Sequence, residues 1–140
     1  MVQLIVGEKG KGKTKHLLDK VNSAVKTASG NIVYLDKNSQ HMYELKNAIR
    51  LIDISEFPIS NTDEFIGFIC GIVSQDRDIE EMYLDTLRIV AFIDDDSQIA
   101  PVLDKLSKIS EQFKVNFTIS ISIDESKIPA EYKDSIIVSL

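Results

Sequence analysis

The 140-residue sequence contains a single cysteine, Cys70, no tryptophan and no long apolar run. A single cysteine excludes an internal disulfide and a cysteine-rich zinc site, and its apolar neighbours predict a small core residue rather than a nucleophile. No apolar stretch approaches the roughly 20 residues that cross a bilayer, so we expect no membrane insertion. The segment Met1–Gly7 lacks the basic region and cleavage site of a signal peptide, which predicts a cytoplasmic protein.

Linkers rich in proline, glycine or serine, internal repeats and low-complexity tracts are also absent. The sequence therefore predicts one domain over residues 1–140. Its formal net charge of -6 argues against a general nucleic-acid-binding protein, because such proteins present basic surfaces. Residues 1–46 nevertheless contain eight lysines and four acidic residues, and four of the lysines lie within residues 8–15. An anionic ligand is expected to bind near this segment.

Short apolar segments alternate with helical periodicities along the chain. This pattern predicts an α/β fold with a mostly parallel sheet of about five to six strands flanked by helices. The predicted strands are Val2–Val6, Ile32–Leu35, Arg50–Ile54, Met82–Leu84, Phe117–Ile123 and Ile136–Val138. The predicted helical segments are Lys13–Ala28, Ser39–Ile49, Thr62–Ser74, Thr86–Phe92 and a helix with Pro101 in its first turn.

Polar residues alternate with apolar ones in the predicted strand Phe117–Ile123. This alternation predicts a strand near a sheet edge, or one with a partly polar face. The pattern does not indicate the order of the strands in the sheet.

Residues 7–14 match the pattern Gly-x-x-x-x-Gly-Lys-[Ser/Thr] of a phosphate-binding loop, the Walker A motif. The match follows a predicted strand and precedes a predicted helix, as this pattern requires. Glycines permit the sharp turn and the close approach of the backbone to an oxygen atom, and the loop amides and helix N-terminus favour negative charge. The predicted nucleotide-binding residues are Gly7, Glu8, Lys9, Gly10, Lys11, Gly12, Lys13, Thr14 and Lys15.

Two of these residues have specific expected roles. We expect Lys13 to contact the β- and γ-phosphates and Thr14 to bind the Mg²⁺ that accompanies ATP. An acidic residue at the end of another strand is expected to hold the metal through water, and both Asp36 and Asp85 follow predicted strands. We favour Asp85, because such an acid usually follows a strand well after the loop. Thr14 and Asp85 are thus the predicted metal site, and Lys13 and Asp85 the predicted catalytic residues.

On the strength of Gly7–Thr14 and Asp85, the sequence resembles the P-loop NTPase superfamily. Its length and several segments also resemble short bacterial ATP-binding proteins that are often labelled after the twitching-motility ATPases. Those segments are Val2–His16, Ile32–Asp36, Gly67–Asp78 and Met82–Leu84. The superfamily resemblance implies a three-layer fold and Mg-nucleotide binding at Gly7–Lys15.

Hydrolysis is expected to be slow. Many hydrolysing members of the superfamily have a glutamate directly after the metal-supporting aspartate, and Thr86 occupies that position here. Three arginines, Arg50, Arg77 and Arg88, are available to stabilise a transferring phosphate. The acidic run Asp94–Asp96 precedes a predicted helix, which favours capping over metal binding.

Three hypotheses remain open from the sequence. The first is an ATP-binding protein that hydrolyses ATP slowly in a switch or assembly role, with a protein partner or a homo-oligomer. The second is a small nucleoside or nucleotide kinase, although the cysteines of the zinc-bound lobe of thymidine kinases are missing. The third is an interaction module that binds nucleotide without hydrolysis. No Asn-Lys-x-Asp stretch supports a preference for guanine.

Overall fold

The computed structural model describes all residues from Met1 to Leu140. Its strands are β1 (Val2–Gly7), β2 (Asn31–Asp36), β3 (Ile49–Asp53), β4 (Ile79–Leu84), β5 (Asn116–Ser122) and β6 (Ile136–Ser139). Its helices are α1 (Lys13–Ala24), α2 (Thr62–Gln75), α3 (Leu87–Val90) and α4 (Ile99–Phe113). No helix combines the length and the hydropathy that spanning a bilayer requires.

All six strands form one sheet in the order β3-β2-β4-β5-β1-β6, and every neighbouring pair is parallel. Parallel pairing brings the carboxyl ends of all strands to the same edge of the sheet, where ligands of such folds bind. One strand, β5, separates β1 from β4. The predicted α/β class, with a parallel sheet between helices, is confirmed.

Helices cover both faces of the sheet because successive strand residues point to opposite sides. Ile5, Tyr34 and Tyr83 face α1 and form an apolar cluster with its buried residues Leu17 and Val21. The alternate strand positions form the larger core with α2 and α4. The molecule therefore has three layers, with α1 on one side of the sheet and α2 and α4 on the other.

The predicted helix Ser39–Ile49 is wrong. Only Met42–Glu44 is helical, as one 3₁₀ turn, and Ile49 already belongs to β3. The side chain of Asn22 on α1 explains the difference, because its Nδ2 donates to the Glu44 carbonyl at 2.8 Å and its Oδ1 accepts from the Lys46 N–H at 3.0 Å. Backbone groups that a longer helix needs are bound to α1 instead.

Helix α1 ends at Ala24 rather than at the predicted Ala28. The next residues form turns, in which the N–H groups of Lys26 and Thr27 donate to carbonyls three residues earlier. The Glu80 carboxylate then accepts from the N–H groups of Ser29 and Gly30, at 3.0 and 2.8 Å. These contacts turn the chain into β2 earlier than the apolar periodicity predicts.

The predictions for the β5 segment and for Cys70 also differ from the structure, the first of them in part. For the β5 segment, the predicted position near a sheet edge is wrong, because β5 lies between β1 and β4. The alternative prediction of a partly polar face is confirmed, since Thr118 and Ser120 are polar and buried. Cys70 is exposed instead of lying in the core. Helix α2 is apolar on most sides, and it buries Phe65, Ile69 and Val73 instead.

Replacing Phe117 with alanine tests the core of the central strands. Phe117 is fully buried in β5, so we expect Phe117→Ala to lower the free energy of unfolding by about 3–5 kcal/mol in urea titrations. Phe113→Ala is the matched control, because Phe113 at the end of α4 is 42% exposed. Similar losses in both variants would contradict this description of the core.

Candidate functional site

The loop between β1 and α1 has a backbone that glycine permits. Gly10 and Gly12 have φ angles of 87° and 91°, in the left-handed region that other residues rarely adopt. A Cβ at either position would meet no atom within 4 Å, so the requirement there is conformational and not steric. Gly7 ends β1, and its N–H donates to the Ile123 carbonyl at 2.9 Å.

Eight consecutive backbone N–H groups, from Glu8 to Lys15, have no acceptor in the protein. His16 is the first residue of α1 whose N–H returns to a carbonyl, that of Gly12 at 3.4 Å. Gly12 also provides no side-chain cap for the helix. A series of free amides at the N-terminus of a helix is a binding site for an anion.

The side chain of Lys13 lies back over this loop. The residue is 7% exposed, and its Nζ donates to the Glu8 carbonyl at 2.9 Å. Burial lowers the pKa of Lys13, and the negative charge of Asp85 opposes that shift. The loop therefore contains an ammonium group next to its free amides.

Asp85 follows β4, is fully buried, and accepts four hydroxyl hydrogen bonds. Thr14, Thr86 and Ser120 donate to Oδ1 at 3.1, 3.1 and 3.2 Å. Tyr34 donates to Oδ2 at 2.7 Å. Burial, followed by the Asp85 charge, raises the pKa of Tyr34, so this hydroxyl keeps its proton and remains a donor.

Asp36 ends β2, next to β4, and is also fully buried. Its Oδ1 accepts from the Lys37 N–H at 2.7 Å, and its Oδ2 has no hydrogen-bond partner. Burial, together with the nearby charge of Asp85, raises the pKa of Asp36. The Lys37 ammonium lies 3.9 Å from Oδ1. The two acids that the sequence singled out thus lie at the same edge, but only Asp85 contacts Thr14.

A cleft of about 420 Å³ lies above this edge, within the range of small-molecule sites. Of the predicted residues, five line it: Lys9, Gly10, Gly12, Lys13 and Thr14. The cleft is completed by Lys37, Thr86, Arg88, Ile89 and Ser122. Among the remaining predicted residues, Glu8, Lys11 and Lys15 are exposed and do not line the cleft. Gly7 and Asp85 are buried and do not line it either.

Lys37 and Arg88 line the cleft but were not among the predicted site residues, although Arg88 is one of the three arginines available to stabilise a phosphate. Lys37 lies two residues after the predicted strand Ile32–Leu35, so the convergence of strand ends was a usable signal for it. The position of Arg88 depends on the turn after Asp85, in which Thr86 has a φ of 64°. A threonine rarely adopts this conformation, and sequence patterns do not predict it. The other two arginines, Arg50 and Arg77, do not line the cleft.

The oxygen atoms at the site fit a magnesium ion that is brought by a nucleotide. Mg²⁺ in proteins is commonly held by one or two protein ligands together with phosphates and water. The Thr14 hydroxyl and the Asp85 carboxylate, 3.1 Å apart, are oxygen donors of this kind. No cluster of three or more histidine, cysteine, aspartate or glutamate side chains could hold a metal by itself. The run Asp94–Asp96 contains a cap, as expected, because Asp95 accepts from the Ser97 N–H at the start of a 3₁₀ turn.

No protein-family model and no curated protein matches the sequence. Among solved structures, the chain is similar to a KaiC-like protein from the hyperthermophilic archaeon Pyrococcus horikoshii OT3, with a TM-score of 0.60 and 19% sequence identity. The match covers 85% of this chain and 59% of the other, so this chain spans less than two thirds of that protein. At this identity the likeness concerns the fold alone. It gives no support to the resemblance to proteins labelled after twitching motility.

The unpartnered oxygen of Asp36 generates a prediction about stability. We expect Asp36→Asn to raise the free energy of unfolding at pH 7 by about 1–3 kcal/mol, because it removes a buried charge with an unsatisfied acceptor. The raised pKa means that ionisation of Asp36 disfavours the folded state. The gain of the variant should therefore be present at neutral pH and disappear below the ordinary aspartate value of 3.8.

Urea unfolding between pH 3.5 and 8 would measure this gain. Asp78→Asn is the control, because it removes the same charge from an exposed residue before β4. A loss of stability in Asp36→Asn at neutral pH that disappears at low pH would contradict the prediction, because it would mean that the ionised carboxylate stabilises the fold.

Proposed function

We propose that the protein binds Mg-ATP in the cleft beside the Gly7–Thr14 loop and hydrolyses it slowly, in a switch or assembly role. The observation that carries the proposal is the series of eight free backbone amides, Glu8 to Lys15, around the buried ammonium of Lys13. Amides without acceptors next to a fixed cation form a site for a polyphosphate. The likeness in fold to a KaiC-like protein supports the same assignment.

The energies of such contacts are sufficient for useful affinity. A hydrogen bond to a charged oxygen contributes about 1.5–3 kcal/mol. Three to five of them supply the ~8 kcal/mol of a micromolar dissociation constant. Lys13 would exchange its bond with the Glu8 carbonyl for a bond to a phosphate oxygen, which requires only a rotation of its side chain.

Thr14 and Asp85 are the residues that we expect to hold Mg²⁺. When bound, the ion would neutralise charge on the β- and γ-phosphates. The Thr14 hydroxyl would turn from Asp85 toward the metal, and Asp85 would keep its bonds from Tyr34, Thr86 and Ser120. These three donors would hold the carboxylate in the same place before and after binding.

Asp36 is the residue that we propose to orient the attacking water. Thr86, in the position after Asp85, donates its hydroxyl hydrogen to Asp85 and offers no carboxylate. Asp36 is the other fully buried acid at this edge, and its Oδ2 has no donor in the protein. A raised pKa is typical of a carboxylate that acts as a general base.

Thermal unfolding with Mg-ATP, Mg-ADP and Mg-GTP tests binding. Ligand at a hundred times its dissociation constant adds about 2.7 kcal/mol, which raises Tm by several degrees. We expect Lys13→Ala to abolish the shift and Lys11→Ala to preserve it, since Lys11 belongs to the same loop but does not line the cleft. A wild-type protein whose Tm responds to no nucleotide would refute the proposal.

Phosphate release tests the chemistry. We expect Asp36→Asn to slow hydrolysis by about 10²-fold or more while it preserves the Tm shift with Mg-ATP. Because the same variant is expected to be more stable, unfolding cannot account for lost activity. Equal binding of ATP and ADP without phosphate release would instead favour the interaction module, and transfer of phosphate to a nucleoside would favour the kinase.

A further inference from the structure

We propose that Arg88 contacts the terminal phosphate of a bound nucleoside triphosphate from within the same chain, and that its ion pair with Asp96 competes with this contact. The inference rests on the proposed function, because it concerns the same cleft. It assigns a phosphate-contact role to Arg88 and a regulatory role to an exposed carboxylate outside the cleft lining.

Arg88 lies close to the start of the phosphate-binding loop. Its Nε donates to the Ser122 carbonyl at 2.8 Å, and both residues line the cleft. Ser122 pairs with Gly7 in the register of β5 and β1. Neighbouring strands are about 4.8 Å apart, so one strand spacing separates the residue that holds Arg88 from the first residue of the loop.

The short helix α3 holds Arg88 in a defined position. Leu87 and Val90 are fully buried in the main core, and Arg88 and Ile89 between them line the cleft. Thr86 before the helix and Phe92 after it have φ angles of 64° and 56°. Such conformations in residues other than glycine persist where packing enforces them, and they are frequent at functional sites.

The position of α3 matches the terminal end of a polyphosphate. Thr14 and Asp85 are the residues that would hold the metal, which would neutralise charge on the β- and γ-phosphates. Thr86 directly follows Asp85, and its N–H donates to the Ser120 hydroxyl at 2.6 Å. The wall formed by Thr86 and Arg88 is therefore next to the metal end of the cleft, whereas the loop amides face phosphates that ADP and ATP share.

Asp96 occupies the outer side of the same guanidinium. Its carboxylate pairs with an Arg88 terminal nitrogen, and its side chain is 54% exposed. The preceding residues are fixed, because the Gln98 side chain accepts from the N–H groups of Asp94 and Asp95 at 2.7 and 3.0 Å. A guanidinium can bind phosphate oxygens through two parallel hydrogen bonds, so a triphosphate and Asp96 compete for it.

Two variants with opposite expected effects test the inference. Arg88→Ala should weaken Mg-ATP binding about tenfold and change Mg-ADP binding less than about twofold, since one charged hydrogen bond is lost. Asp96→Asn should strengthen Mg-ATP binding about threefold or more and leave Mg-ADP binding unchanged, because it frees the guanidinium. Isothermal titration calorimetry with both nucleotides measures these constants.

Matched controls distinguish a direct effect of Arg88 and Asp96 on the nucleotide from the general electrostatic effect of removing a charge. Arg77→Ala removes a positive charge from an exposed residue before β4, and Asp94→Asn removes a negative charge from the same acidic run as Asp96. Both controls should bind Mg-ATP like the wild type. Equal losses for ATP and ADP in Arg88→Ala, or identical behaviour of Asp96→Asn and Asp94→Asn, would overturn the inference.

The outcome is distinguishable from a failure of the proposed function. If the wild type binds neither nucleotide, the proposed function fails, whereas normal wild-type binding with an insensitive Arg88→Ala overturns only the present inference. Unfolding curves without ligand report whether each variant is folded. If Arg88→Ala does not fold, the comparison of Asp96→Asn with Asp94→Asn decides.

Discussion

The candidate site depends on the hydrogen bonds that meet at the Asp85 carboxylate. Thr14 contributes one from the start of α1, Tyr34 one from β2, and Ser120 one from β5. A buried carboxylate needs such donors, because an unpaired charge in the interior is costly. The same bonds join three strands and the helix after the loop. The hydrogen bonds that stabilise Asp85 therefore also fix the Gly7–Thr14 loop relative to the edge of the sheet.

The conformation of the Gly7–Thr14 loop could be predicted from the sequence because its determinants are local. Gly10 and Gly12 adopt backbone angles that follow from having no Cβ, and the apolar segment before the loop forms β1 as expected. The fold class was predictable for a similar reason, since alternating strand and helix patterns lead to a parallel sheet. The Ser39–Ile49 helix was not, because Asn22 on another element binds that segment.

The choice between Asp36 and Asp85 illustrates what local patterns cannot provide. Both follow apolar strands, and both are completely buried at the same edge. They differ in the hydrogen-bond donors that surround them. Asp85 accepts hydrogen bonds from four hydroxyl groups, whereas one carboxylate oxygen of Asp36 has no hydrogen-bond partner. Those donors come from distant parts of the chain and are brought together by the strand order, which the sequence did not indicate. Exposure of Cys70 has a similar origin, because the orientation of α2 depends on its partner α4.

The pairing of β1 has a consequence for synthesis of the chain on the ribosome. Both neighbours of β1 are distant in sequence, since Val2 pairs with Phe117 and Leu4 with Ile136. Chains emerge from the N-terminus, and contacts of large sequence separation form slowly. The Gly7–Thr14 loop thus leaves the ribosome before β5 and β6, and the strand that supports it acquires its neighbours only after those two strands have emerged. Nascent chains that lack β5 and β6 would carry the complete loop sequence without the sheet that orders it.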